Sequence, residues 1–196
     1  LNVEELIIPE GVTHIGANAF QVNYVLTKIV LPESLTYIGD GAFGGCKNLK
    51  HINIPQSVTY IGQGAFTNCE SLEDIIIPDS ITAIYERMFS GCKSIVEFIV
   101  PENVASISSS AFWDCTNLES ILIPDSVKSI DGAAFRNCEN LKTVYYLGSF
   151  ENWINIEIDE NENESLFNAT LYFYSETEPT EEGNFWHYVD GEAVEW

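Results

Sequence analysis

The chain has 196 residues, 45% of them hydrophobic, and sets 30 Asp and Glu against 8 Lys and Arg for a formal net charge of −22. So acidic a chain repels phosphate backbones and anionic membrane surfaces, which excludes non-specific nucleic-acid binding and adhesion through basic patches. No apolar run approaches the ~18 residues of a membrane span, Leu1 to Glu5 carry no secretory-signal pattern, and 12% aromatic residues exclude a disordered chain.

The charge is unevenly placed. Residues 1–146 hold 17 acids and all 8 bases, whereas residues 147–196 hold 13 acids and no Lys or Arg. This predicts two regions joined near Leu147. The first is periodic. Pro9, Pro32, Pro55, Pro78, Pro101 and Pro124 recur every 23 residues, in step with Phe20 to Phe135, with Ile15 to Ile130 and with Cys46, Cys69, Cys92, Cys115 and Cys138. A fixed period in this range predicts stacked supersecondary units. Within one unit, Ile52 and Ile54 alternate around Asn53 and predict a short strand that Pro55 ends. Val58 and Ile61 predict a second short extended or turning segment. Gly62 and Gly64 predict a turn, and Ala65, Phe66, Cys69 and Leu72 a tight helical turn. One unit cannot bury its apolar positions alone, and stacking at ~4.8 Å gives a continuous core.

The full pattern, carried by Phe43, Cys46, Leu49, Ile52, Ile54, Pro55, Val58, Ile61, Gly62, Ala65 and Phe66, resembles the BspA-like leucine-rich repeat with 23-residue units. The resemblance covers residues 1–146. Departures are Asn23 in the first Cys position, Tyr85 and Met88 in place of Gly and Ala, and Phe98 in place of Ile. It implies a mainly β, right-handed solenoid with short helical or 3-10 turns and one parallel sheet face, about six repeats, closed by a C-terminal β cap. It also implies an exported or cell-surface protein acting in adhesion and partner binding rather than catalysis. The chain begins mid-unit, so further repeats upstream are expected, and any signal and anchor are expected outside residues 1–196.

A row of five cysteines admits three readings: core filler, one or more disulfides, or a metal or redox site. A line of sulfurs at coil spacing does not gather four ligands around one point, stacked Cβ atoms sit wider than a bridge prefers, and the count is odd, so core filling is expected. His14, His51 and His187 have no nucleophile placed beside them by the pattern, and the carboxylates Glu10, Glu33, Asp79, Glu102 and Asp125 form a solvated ladder. No enzyme, cofactor or metal site is expected.

Two surfaces remain as candidate sites. The outward position of each long strand carries Ile7, Val30, Asn53, Ile76, Ile99, Leu122 and Tyr145, apolar at six of seven places. This stripe reads both as a protein-binding face and as β-branched ladder packing. Trp113 occupies a slot filled elsewhere by Gln21, Gly44 or Thr67, which predicts exposure and adds it to the partner-binding candidates.

Beyond the array, residues 147–174 keep an alternating pattern and read as the cap, with Gly148-x-x-x-x-Trp153 and Asn168-Ala169-Thr170 resembling closing segments of BspA-like arrays. Asp159 to Ser165 reads as an acidic turn rather than a calcium loop, since Gly and Glu are missing at the key positions. Asn163-Glu164-Ser165 and Asn168-Ala169-Thr170 match glycosylation sequons. Residues 175–183 read as an acidic linker, and residues 184–196 as an aromatic hairpin turning at Asp190-Gly191. Because a two-stranded ribbon alone is marginal, Trp186, Tyr188 and Trp196 are expected to pack on the cap or on a further module; the alternative is a glycan-stacking site. The expected function is a non-enzymatic extracellular binding module for a protein ligand, such as a host matrix or cell-surface protein. The alternatives are glycan binding through the tail, or a passive stalk.

Overall fold

The computed structural model describes residues 3–180 and 182–196. Long strands β1 (Glu5–Ile7), β3 (Lys28–Val30), β5 (His51–Asn53), β7 (Asp74–Ile76), β9 (Glu97–Ile99), β11 (Ser120–Ile123) and β13 (Thr143–Tyr146) alternate along the chain with short ones. The short strands are β2 (His14–Ile15), β4 (Tyr37–Ile38), β6 (Tyr60–Ile61), β8 (Ala83–Ile84), β10 (Ser106–Ile107) and β12 (Ser129–Ile130). Apart from β6 with β8 and β7 with β9, each pairs in parallel with its equivalent one unit on, Ile29 with Ile52 and Ile38 with Ile61, so each unit is one coil. The second segment, read as extended or turning, therefore forms a ladder of its own.

The alternation places Ile52 and Ile54 inside and Asn53 outside, and Phe43, Phe66, Phe89, Phe112 and Phe135 are all fully buried. These rings stack face to face with centroids 5.3–5.7 Å apart, and the 5.7 Å step lies between Phe66 and Phe89. The segment expected as a helical turn is a succession of single turns, with Ala65 N donating to Gly62 O, Thr67 N to Gly64 O and Cys69 N to Phe66 O. Continuous helix is blocked because two places per coil take a left-handed backbone. One row runs from Asn18 through Gly41 and Gly64 to Ala133; the other runs from Val22 through Gly45, Asn68 and Gly91 to Asn137. Val22, at φ 60°, is the costly member, since a β-branched residue is strained there. Val22→Gly is expected to raise unfolding free energy by about 1 kcal/mol in a urea titration.

Neither ladder runs unbroken. The long strands divide between β7 and β9, and the short ones between β6 and β8. Both breaks fall at the unit that departs from the repeat. A Cβ at Gly62 would lie 2.6 Å from Asp40 N, and one at Gly39 2.6 Å from Ala17 N. Tyr85 puts a side chain in that slot one coil later, and the short ladder opens before it. Phe98, in the slot of Ile52, wedges between Phe89 and Phe112 at 4.9 and 4.8 Å, and the long ladder opens before it. The turn arm stays joined across both breaks, through Gly64 N to Glu86 O, Phe66 N to Met88 O and Asn68 N to Ser90 O.

All five cysteines are free and buried, and each Sγ donates to a phenylalanine carbonyl 26 residues earlier, at 3.1–3.2 Å. At the equivalent place of the first coil, Asn23 Oδ1 accepts from Val25 N and Leu26 N. Burial pushes the thiols up, Cys46 to about 11 and Cys138 to about 12. A thiol whose folded pKa is raised favours folding fully below its unfolded pKa and loses that contribution as pH rises through the folded value. Urea midpoints are therefore expected to fall from about pH 8.5 upward, through Cys46's value of about 11 and Cys138's of about 12. Native protein is expected to resist alkylation until urea unfolds it; fast native labelling would contradict this.

The end of the array is closed by chain that imitates another coil. After helix α1 (Phe150–Trp153), β14 (Glu157–Ile158) joins β12, and after helix α2 (Glu164–Asn168), β15 (Thr170–Tyr174) joins β13. Asn163 supplies the missing turn arm. It is fully buried, its Oδ1 accepts from Phe135 N, and its Nδ2 donates to Asp131 O and Asp159 O. The Asn163 sequon is thus closed to glycosylation in the folded chain, whereas Asn168 is exposed. The tail forms β16 (Phe185–Val189) and β17 (Glu192–Glu195), an antiparallel hairpin through Asp190 and Gly191, both with positive φ.

Candidate functional site

The outward face of the long strands is the first surface. Ile76 and Ile99 are 72% and 69% exposed, and Ile7, Val30 and Asn53 are exposed with them. They project because each ends a three-residue strand, between the strand's one inward residue and a second inward residue just past its end. One flank of this stripe carries Glu5, Lys28, His51, Asp74 and Glu97; the other carries Glu10, Glu33, Gln56, Asp79 and Glu102, all exposed.

Leu122 and Tyr145 do not share that exposure. Leu122 is only 6% exposed and Tyr145 is half-buried, which corrects the expectation that they lie open beside Ile99. The reason is non-local. β16 pairs in parallel with β15 through Phe173–Phe185 and Tyr174–Trp186, and the hairpin then turns back over the face. Tyr188, Gly191, Glu192 and Ala193 come to face Leu122, Tyr145 and Glu97 around a cavity of about 240 Å³. No periodic signal in residues 1–146 announces this; only the aromatic clustering of the tail hints at a packed partner.

The hairpin is firmly rooted. Trp186 is 0% exposed, packs on Tyr145 at 5.3 Å and Tyr174 at 5.2 Å, and donates from Nε1 to Tyr146 O at 3.1 Å. This removes Trp186 from any glycan-stacking surface. Trp196 lies on His187 at 3.9 Å with Nε1 donating to Ser175 O, and Tyr188 is about half exposed, with its ring beside Trp186. Burial first, then the charge of Glu102, push the Tyr188 phenol up.

Trp113 sits on the turn arm. It is half-buried rather than exposed, with Arg136 Cζ 5.1 Å over its ring and Arg136 held by Glu162 at 2.5 Å. It shares no surface with the Ile76–Ile99 stripe, so the structure does not bring the partner-binding candidates into one site. His14, His51 and His187 stand apart: His14 lies on Tyr37, His51 near Glu73 and Asp74, and His187 under Trp196. Among the described residues no group of three metal-ligating side chains converges, and no helix is long and apolar enough to cross a membrane.

Parallel ladders, a 23-residue coil and stacked Phe and Cys rows define a leucine-rich-repeat β-solenoid. The family described as BspA type leucine rich repeat region matches six copies over residues 13–142, and the chain belongs to that family. Among solved structures it is similar to a leucine-rich repeat protein of T. pallidum, 30% identical with TM-score 0.68, over 84% of this chain and 82% of that one. It is also similar to a leucine-rich cell surface protein from Faecalibacterium prausnitzii, 27% identical with TM-score 0.55, over 81% of this chain and 64% of that one. A leucine-rich repeat protein from Bacteroides ovatus is 26% identical with TM-score 0.61, over 87% and 55%. The chain thus spans less than two thirds of the F. prausnitzii and B. ovatus proteins. No curated protein matches it. The chain is a repeat protein of bacterial surface-protein type, on a fold that serves generally as a non-enzymatic scaffold.

Proposed function

We propose that the chain is an extracellular protein-binding module that uses the outward sheet face, centred on Ile76 and Ile99. The observation that carries this reading is the exposed apolar stripe on rigid strands, bounded by polar residues on both flanks. Such a stripe has the composition of an interface core with its rim. Support for an extracellular setting comes from the cell-surface protein of F. prausnitzii.

The test is a double substitution that leaves the core untouched. Ile76→Asp with Ile99→Asp is expected to change stability by less than about 1 kcal/mol, because both side chains already face water. It is expected to weaken retention on immobilised extracellular-matrix proteins by about tenfold or more, as loss of interface anchors does. Unchanged retention by the folded variant contradicts the reading.

A further inference from the structure

The stripe ends in a groove. Its floor is Ile76, Ile99 and Leu122, lying where the ladder between β7 and β9 is open, and its end wall is Tyr188 of the tail hairpin. The groove holds about 660 Å³. Its rims are Asp74 and Glu97 on one side and Asp79 and Glu102 on the other, and no Lys or Arg lines it.

That absence is informative because the chain's own cations are committed elsewhere. Lys47 and Lys93 pair with Glu70, Lys50 with Glu73, Arg87 with Glu86, Arg136 with Glu162 and Lys142 with Glu119. Lys128 donates to the Asp125 carbonyl, and Lys28 stands on β3, two coils from β7. Asp74 has His51 nearby at 3.8 Å, but Asp79, Glu97 and Glu102 meet no cationic side chain among the described residues. Four carboxylates around an apolar floor repel one another, and a ligand carrying positive charge relieves that repulsion while its apolar parts cover the isoleucines.

Resting on the binding-face reading above, we infer that this groove takes a cationic, amphipathic peptide segment of the partner. Apolar side chains seat on Ile76, Ile99 and Leu122, and Lys or Arg side chains reach the paired carboxylate rims. The tail hairpin is a fixed wall of this site rather than a movable cover, because Trp186 is buried beneath it. Tyr188 offers its ring face to the ligand's cation or aliphatic chain. A second copy of the chain is a poor occupant, since it brings another −22 charge.

The test uses the whole chain and a fluorescent peptide of about eight residues alternating leucine with lysine, read by anisotropy at low salt. A matched peptide alternating leucine with glutamate is the control. The lysine peptide is expected to bind and the glutamate peptide not to. Glu97→Gln with Glu102→Gln is expected to weaken binding by about tenfold, and Tyr188→Ala by about threefold to fivefold. Glu10→Gln with Glu33→Gln removes the same charge from the flank that carries Glu102, two or more coils away from the groove, and is expected to leave affinity within about twofold. Equal losses from the two pairs would reduce the effect to general attraction and overturn the inference. So would unaltered binding by the Glu97/Glu102 variant, or a dimer in sedimentation that excludes the peptide. The two readings fail separately. Loss of matrix-protein retention by the Ile76/Ile99 variant, with no lysine-peptide binding, leaves the binding face standing and removes this partner chemistry.

Discussion

Phe89→Ala is expected to lower unfolding free energy by about 3–5 kcal/mol, the usual cost of an emptied aromatic core position. The ring is fully buried and touches Phe66, Phe98 and Phe112. Its position adds a second effect. In a solenoid each coil is stabilised by its own fold and by its two neighbours, so unfolding stays cooperative only while the interfaces are strong. Around Phe89 both strand ladders are interrupted, and the halves are joined by the phenylalanine stack, the turn-arm hydrogen bonds and a few side-chain hydrogen bonds such as Cys92 Sγ to Phe66 O. Urea unfolding of Phe89→Ala is therefore expected to split into two transitions. Phe43→Ala, placed where both ladders run unbroken, shifts a single transition by a similar free energy. Two transitions in both variants would refute the special role of the fourth coil.

The second large effect belongs to the tail. Trp186→Ala removes a fully buried indole, its tilted and edge-on ring contacts with Tyr145 and Tyr174, and its hydrogen bond to Tyr146 O. The cost is again about 3–5 kcal/mol, but it is taken locally, because the hairpin lies over the C-terminal half of the array and leaves the first coils untouched. Hydrogen exchange is expected to speed up in residues 173–196, with the amides of β3 and β5 unchanged. Release of the hairpin uncovers Leu122 and Tyr145, so dye binding to exposed apolar surface is expected to rise while far-ultraviolet dichroism barely moves. Global unfolding at the same denaturant as the array would show that the tail is an integral part of the core.

The repeat was legible because each coil must solve one packing problem with the same slots. Ile52, Ile54, Phe66 and Cys69 are inward for reasons local to their own unit, and their counterparts 23 residues away repeat those reasons. The left-handed turn positions were legible in principle as well. Gly41 and Gly64, or Gly45, Asn68 and Gly91, occupy fixed places as only residues tolerant of positive φ comfortably do. Arg87, Ala133 and Val22 hide the rule by obeying the coil's geometry against their own preference. Tyr85 and Phe98 stood out as departures, but what a side chain does in a glycine slot depends on the backbone of the coil beneath it. Leu122 shows the other limit. Its outward position follows from alternation, yet its burial is set by a hairpin more than 60 residues later in the chain. The same contact decides between the two readings of Trp186, as a ring packed on the cap or as a glycan-stacking ring, in favour of a buried anchor.

The measurement that bears most directly on the binding face is hydroxyl-radical footprinting of the chain alone and in complex with the matrix protein that retains it best. The account predicts reduced oxidation at Ile76, Ile99 and Tyr188, with Tyr24, Phe150 and Phe167 unchanged. Protection centred on Trp113 or on the cap, with Ile76 and Ile99 still open to oxidation, would contradict it.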